Sequence, residues 1–315
     1  MKYDIRAALL HLGTNMWCDA VPDSWNGGNP PAAVTASDRL KFDEGVWRQL
    51  TARMAEKGLN MLVVDLAEAV RYPSHPELAA KEAWSPDKIR DEVARLKAMG
   101  IEAVPKLNFS TGHDIWLGEV SRMVSTPRYY EVCADLIRDV AEIFGRPRLF
   151  HIGYDEETAE HQKKYQFVCM RQGALWWHDF LWFVKEVEKA GMRPWMWSDV
   201  AWRHDDFIPR CPKGVLQSNW YYGDVFDDAK LPDKLKVRLD TFDKLDRAGF
   251  DQVPCGSNLY VDVNLERLIA DCRRRIDPER LKGFLMAPWL FTLPSSREKL
   301  LRCIDIAGAE LAERA

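Results

Sequence analysis

The 315-residue chain contains no apolar run long enough to cross a bilayer, which takes about 20 residues. The seven cysteines are an odd number, scattered at Cys18, Cys133, Cys169, Cys211, Cys255, Cys272 and Cys303, and no two form a CxxC pair. That spacing excludes a zinc ribbon and a disulfide framework and is expected of reduced thiols in a reducing compartment. The N-terminus lacks a leader pattern, since the strand-like Ala7-Ala8-Leu9-Leu10 arrives almost at once, so a cytoplasmic location is expected. Positive charge is sparse: the net charge is −4, and Arg273-Arg274-Arg275 is the only run of three bases, expected to be a solvated helix face. Nucleic acid and anionic membrane are therefore not expected partners. No His-x-His pair is present, so neither a metal nor another cofactor is expected.

What the chain does have is one repeated pattern. An amphipathic helix ends at a glycine and an apolar strand follows, at Gly58, Gly100, Gly191, Gly249 and Gly283. Glycine just past a helix takes the left-handed conformation that closes it. These glycines introduce strands at 59–65, 101–108, 192–199, 250–258 and 284–290, and the apolar runs 9–16, 149–154 and 215–220 supply three more. Between them, Ser85-Pro86-Asp87 starts a helix with a cap and an N1 proline, and 174–190, 232–248, 265–275 and 297–311 read as further helices. Alternating strands and helices imply parallel strands and right-handed crossovers, and eight such units favour an α/β fold, a (β/α)8 TIM barrel. No linker or composition shift divides the chain, so residues 1–315 are expected to be a single catalytic barrel domain without an accessory domain. The long connections 17–42 (with Gly27-Gly28), 68–84, 109–127, 155–173 and 221–231 all follow strands, which puts the functional face at the strand C-termini.

The stretch Arg148-Leu-Phe-His-Ile-Gly-Tyr-Asp-Glu-Glu157 brings chemistry to that face. A buried strand breaks into carboxylates, and Asp155 and Glu156 are the expected catalytic pair. Glycoside cleavage needs one group to protonate the leaving oxygen and another to stabilise the developing cation. Different environments let neighbouring acids divide these roles, one ionised and one protonated. Successive strand side chains point to opposite faces, so both acids reach one pocket only if the backbone bends after Gly153. Trp17, Trp116, Trp197, Trp220 and Trp289 fall at or just after predicted strands, where indole faces suit the C–H face of a sugar; core packing is the alternative for each. Among polar strand-end residues, His113 can support the acids or stabilise its loop, and Asp199 can accept a sugar hydroxyl or cap a helix. His151, inside its strand, is expected to be a satisfied core histidine.

His151-Ile-Gly-Tyr-Asp-Glu156 resembles the His-x-Gly-Gly-Asp-Glu signature of the family 20 glycoside hydrolases, the β-N-acetylhexosaminidases, with Tyr154 in place of the second glycine. Segments 58–62 and 71–78 are similar to the family's second strand and loop, and 99–105 with Gly112-His113 to its third. Trp220 matches a pocket tryptophan, Tyr260-Val-Asp262 resembles a Tyr-Leu-Asp element at the sugar, and Trp289 the tryptophan after strand eight. The resemblance implies a carbohydrate substrate and a metal-free, substrate-assisted mechanism. Asp155 would orient the 2-acetamido group, Glu156 would act as general acid and base, and Tyr260 would bind the acetamido carbonyl. The chain departs from the family at the first strand, which lacks its sugar-gripping arginine, and at Asp65 and Glu68, Lys106 and Phe291. Altered sugar specificity is the expected consequence. Two alternatives stay open: a non-catalytic glycan-binding barrel, and a metal-dependent hydrolase or isomerase using Asp65, His113, Asp155 and Glu156.

Overall fold

The structure, a computed structural model, describes residues 3–25 and 28–311; Gly27 lies outside them. Eight strands form one parallel sheet: β1 Ile5–His11, β2 Met61–Asp65, β3 Glu102–Lys106, β4 Leu149–His151, β5 Arg193–Trp197, β6 Leu216–Ser218, β7 Cys255–Gly256 and β8 Gly283–Met286. Their order is β6-β5-β4-β3-β2-β1-β8-β7, and parallel bridges Gln217 to Gln252 and Trp220 to Cys255 join the two ends into a ring. Around it lie α1 Glu44–Glu56, α2 Pro86–Ala98, α3 Pro127–Ile143, α4 Gly173–Lys189, α5 Asp233–Arg247, α6 Asn264–Arg275 and α7 Arg297–Leu311. Between β5 and β6 the connection is short, with a 3-10 turn Asp199–Trp202 and a four-residue helix Phe207–Arg210. This is the predicted (β/α)8 barrel.

Local chemistry explains the element ends. Ser85 Oγ accepts from Lys88 N at 3.2 Å at the start of α2, and Asp43 Oδ1 accepts from Val46 N at 2.7 Å at the start of α1. Gly58, Gly100, Gly191 and Gly249 adopt positive φ at their helix ends, as expected. Gly283 does something else. It opens β8, where a Cβ would lie 1.8 Å from Ile5 O, so it permits close approach of β1. Strand β1 lies earlier than predicted, because Leu12 N and Gly13 N both bond to Asp65 O and the chain turns away there. Along β1, Ile5, Ala7 and Leu9 face the barrel interior with Val63, Val104, Trp195 and Leu285, while Ala8 and Leu10 join the helix-facing layer.

All seven cysteines are free. Among the described residues no helix is long and apolar enough to cross a membrane. In the arginine run Arg273 and Arg274 are exposed, as expected of a solvated helix face, while Arg275, 15% exposed, binds Asp228, Asp243 and Asp271. Below the barrel mouth Lys106 Nζ lies 2.6 Å from Asp65 Oδ2, both buried, and His11 stands 3.4 Å from the same oxygen. Glu68 is also buried and accepts the backbone N–H groups of Thr14 and Asn15. Asp65 and Glu68 thus bind parts of the barrel to one another.

Candidate active site

Strand β4 stops at His151, and the backbone then takes positive φ at Gly153, Tyr154 and Glu156. This is the bend that turns two consecutive acids toward one space. A Cβ on Gly153 would lie 2.1 Å from Asn108 Oδ1, so glycine is required for contact as well as for φ. Asn108 is the clamp. Its Oδ1 accepts from Tyr154 N and Ser110 N, both at 3.1 Å, and its Nδ2 donates to Asp155 Oδ1 at 2.8 Å. Ser110 Oγ donates to the Asp155 carbonyl, and Glu156 N donates to Asp199 Oδ2 at 3.0 Å. Glu157 points away and binds the buried Arg171.

Two histidines set the charge of the pair. His113 Nε2 lies 3.4 Å from Asp155 Oδ2 and 3.3 Å from Glu156 Oε2, while His161 Nδ1 lies 3.0 Å from the latter. Burial alone would lower the His113 pKa, but the two carboxylates outweigh it and hold the ring up at about 9. Burial alone would raise Asp155, and the charge of the adjacent His113 brings it below the usual carboxylate range. Burial likewise opposes ionisation of Glu156, but the close contacts with His113 and His161 hold it well below its ordinary value. His161 titrates lower than usual because burial outweighs the attraction of Glu156. Asp199 is pushed up to about 7 by burial and by the charges of Asp155 and Glu156. Both carboxyls are thus shifted toward their charged forms, and His113 toward its protonated form.

The acids open into a cavity of about 930 Å³ walled by Trp17, Trp197, Trp220, Tyr222 and Trp289. Trp197 and Trp289 are 5.7 Å apart between ring centroids, Trp220 stacks on Tyr222 at 5.0 Å, and Trp17 stacks on Phe291 at 5.1 Å. A second cavity of about 570 Å³, bordered by Trp176, Trp177, Asp199 and Arg203, lies on the other side of Glu156.

Of the predicted site residues, Asp155, Glu156, Trp17, His113, Trp197, Trp220, Tyr260 and Trp289 line the larger cavity. Tyr260 sits on its rim, 64% exposed. Three are placed elsewhere. Asp199 lies behind Glu156 and holds its backbone. Trp116 is buried, donates Nε1 to Asn108 O at 3.0 Å and packs on Phe109, so it backs the clamp and does not face the cavity. Asp262 is half exposed and pairs with Arg302 at 3.1 Å outside the cavity. His151 is buried, its Nδ1 accepting from Gly153 N at 3.0 Å. Several lining residues escaped the sequence reading. Tyr222 had a signal in the Trp220-Tyr221-Tyr222 run. His161 and Lys164 sit in a long loop, and Arg238 on α5, with no strand-end position to mark them.

Any metal would find its donors in His113, Glu156 and His161, whose ligand atoms lie within 4.8 Å of one another. Two imidazoles and a carboxylate are a donor set suited to zinc or another transition metal. Asp65, paired with Lys106 lower in the barrel, is not part of it.

No family model matches the chain, and no curated protein does. Solved structures resemble it throughout its length. The family 20 exo-β-N-acetylglucosaminidase of Vibrio harveyi, in complex with N-acetylglucosamine, superposes with a TM-score of 0.64 at 15% identity, over 99% of this chain and 55% of that one. The N-acetyl-β-hexosaminidase of Streptomyces plicatus gives 0.65 at 15% identity, over 98% and 64%. The β-N-acetylhexosaminidase of Bacteroides fragilis gives 0.63 at 11% identity, over 98% and 65%. The chain spans about half the length of the Vibrio protein and under two thirds of the other two. It has the barrel fold found in the family 20 β-N-acetylhexosaminidases.

Proposed function

We propose that the protein is a glycosidase that cleaves by the substrate-assisted, retaining route, with Glu156 as general acid and base and Asp155 orienting a 2-acetamido group. One observation carries the reading: Asp155 and Glu156 share a tryptophan-walled cavity and a single histidine, His113, 3.4 and 3.3 Å from their carboxylate oxygens. The fold shared with hexosaminidases, one of them holding N-acetylglucosamine, supports it.

In this mechanism the substrate's acetamido oxygen attacks its own anomeric carbon as the bond to the leaving oxygen breaks. Asp155, kept anionic by His113 and by the Asn108 N–H, accepts the acetamido N–H and favours that attack. Glu156 donates a proton to the leaving oxygen, then takes one from the water that opens the cyclic intermediate, regenerating its acid form. His113, whose pKa is held up at about 9, passes its proton to Glu156 across the 3.3 Å contact. The active form requires that proton, so kcat/KM is expected to fall as pH rises through about 9.

The decisive experiment is Glu156→Gln assayed on aryl 2-acetamido glycosides. Turnover should drop by at least a hundredfold with the thermal midpoint preserved, and a thiazoline analogue should inhibit the native protein. Cleavage by the variant at the native rate refutes the assignment. A second reading has its own observation, the His113, Glu156 and His161 donors within 4.8 Å. Metal-assisted hydrolysis predicts a bound transition metal in the purified protein and loss of activity on chelation, restored by zinc.

A further inference from the structure

Among the described residues, two cations line the larger cavity without an ion pair to a carboxylate, though both feel the charge of Glu156 from farther off. Arg238, on α5, places its guanidinium against the rings of Trp202 and Trp220, 4.4 and 4.7 Å from their centroids. Its Nε is buried and has no hydrogen bond, and among the described residues it has no ion pair. Lys164 lies over Trp25 at 4.2 Å from the opposite loop, again with no ion pair among the described residues. Their neighbours behave differently: Lys163 binds Glu160 at 2.5 Å, and the buried Arg171 binds two carboxylates. A guanidinium lying against indoles offers its N–H edge, which fits two oxygens of one planar or tetrahedral anion. An anionic sugar would otherwise be repelled by Asp155 and Glu156, and cations on the cavity wall offset that repulsion.

We infer that the sugar bound in this cavity carries a negatively charged group, a carboxylate or a sulfate or phosphate ester, held by Arg238 and Lys164. This rests on the glycosidase reading and names the substrate class within it.

The test uses the full chain bearing Glu156→Gln, titrated with glycans in matched neutral, uronate, sulfated and phosphorylated forms. One charge-assisted contact is worth about a 10- to 100-fold gain in affinity. At least one anionic form should bind about tenfold or more tightly than its neutral counterpart. The preference should weaken in high salt, fall toward unity when Arg238→Gln is added and survive in part with Arg238→Lys, with thermal midpoints confirming that the variants fold. Which anion is preferred identifies its source. Neutral forms bound as tightly as anionic ones, or a preference indifferent to Arg238→Gln and Lys164→Gln, overturns the inference while leaving the glycosidase reading intact if the native protein cleaves the neutral forms. Absence of binding to every glycan, with no cleavage by the native protein, overturns both.

Discussion

Gly153→Ala tests the construction of the acid pair without reference to any substrate. A Cβ at this position meets Asn108 Oδ1 at 2.1 Å and Cγ at 2.2 Å, and the backbone there has φ +69°. An L side chain in the left-handed region costs about 1–2 kcal/mol. Relief of the clash moves Asn108 off its three partners. Its bond to the Asp155 carboxylate is worth about 1.5–3 kcal/mol, and those from Tyr154 N and Ser110 N about 0.5–1.5 kcal/mol each. The total is on the order of 3.5–8 kcal/mol, large enough to mark a specific structural fault. At about 2 °C per kcal/mol for a chain of this size, the thermal midpoint should fall by roughly 7–16 °C. The decisive measurement is a double-mutant cycle with Asn108→Gly, followed by tryptophan fluorescence on heating. With Asn108 shortened, the new methyl has room and the clamp bonds are already gone, so Gly153→Ala should then cost only the φ contribution, about 1–2 kcal/mol. A cost that is equal in both backgrounds, or below about 1 kcal/mol in the native one, would refute the reasoning.

Arg171→Met should destabilise by about 3–5 kcal/mol, because it leaves Glu157 and Asp179 buried without their counter-charge; Arg171→Lys should also destabilise, since lysine cannot reproduce the fork that binds Glu157 through Nε and Nη2. Denaturation midpoints of the two variants check both. Burial raises the Asp114 carboxyl from 3.8 to about 8, so the folded state holds this proton more tightly than the unfolded chain. Stability through this group is therefore greatest in acid and falls as pH rises through that interval. Asp114→Asn should remove that slope and gain on the native protein by pH 8, and parallel pH–stability curves would count against it. Asp43→Ala removes the cap on α1 and should cost about 1 kcal/mol in a thermal melt.

How much of this was legible beforehand depends on how local each cause is. The barrel is written in short segments: helix, terminal glycine, apolar strand. Where a strand was misplaced, the reason lies in a partner. Strand β1 ends at His11 because two successive N–H groups converge on the Asp65 carbonyl. The acid pair was equally legible, since Gly153 before Asp155 and Glu156 signals a bend at the end of a buried strand. Asp262 lies outside the cavity lining, paired with Arg302 on α7, because resemblance to a three-residue element fixes neighbourhood but not direction. Trp116 packs behind the clamp because an indole at a strand end can face either the mouth or the layer behind it.

The charge state and the cavity wall follow from contacts that no local pattern reports. The ligand atoms of His113, His161 and Glu156 are brought within 4.8 Å of one another from two separate loops, and that juxtaposition draws the carboxyls toward their charged forms and His113 toward its protonated one. Arg238 comes from the middle of a helix, where nothing in its sequence neighbourhood sets it apart. The sequence by itself determined the repeating units, their closure into a ring and the acids at one strand end, because hydrophobic period and helix termination act over a few residues. The tertiary structure alone decided which side chains surround those acids and how their titrations are coupled, because electrostatic coupling depends on distance in space and is indifferent to separation along the chain.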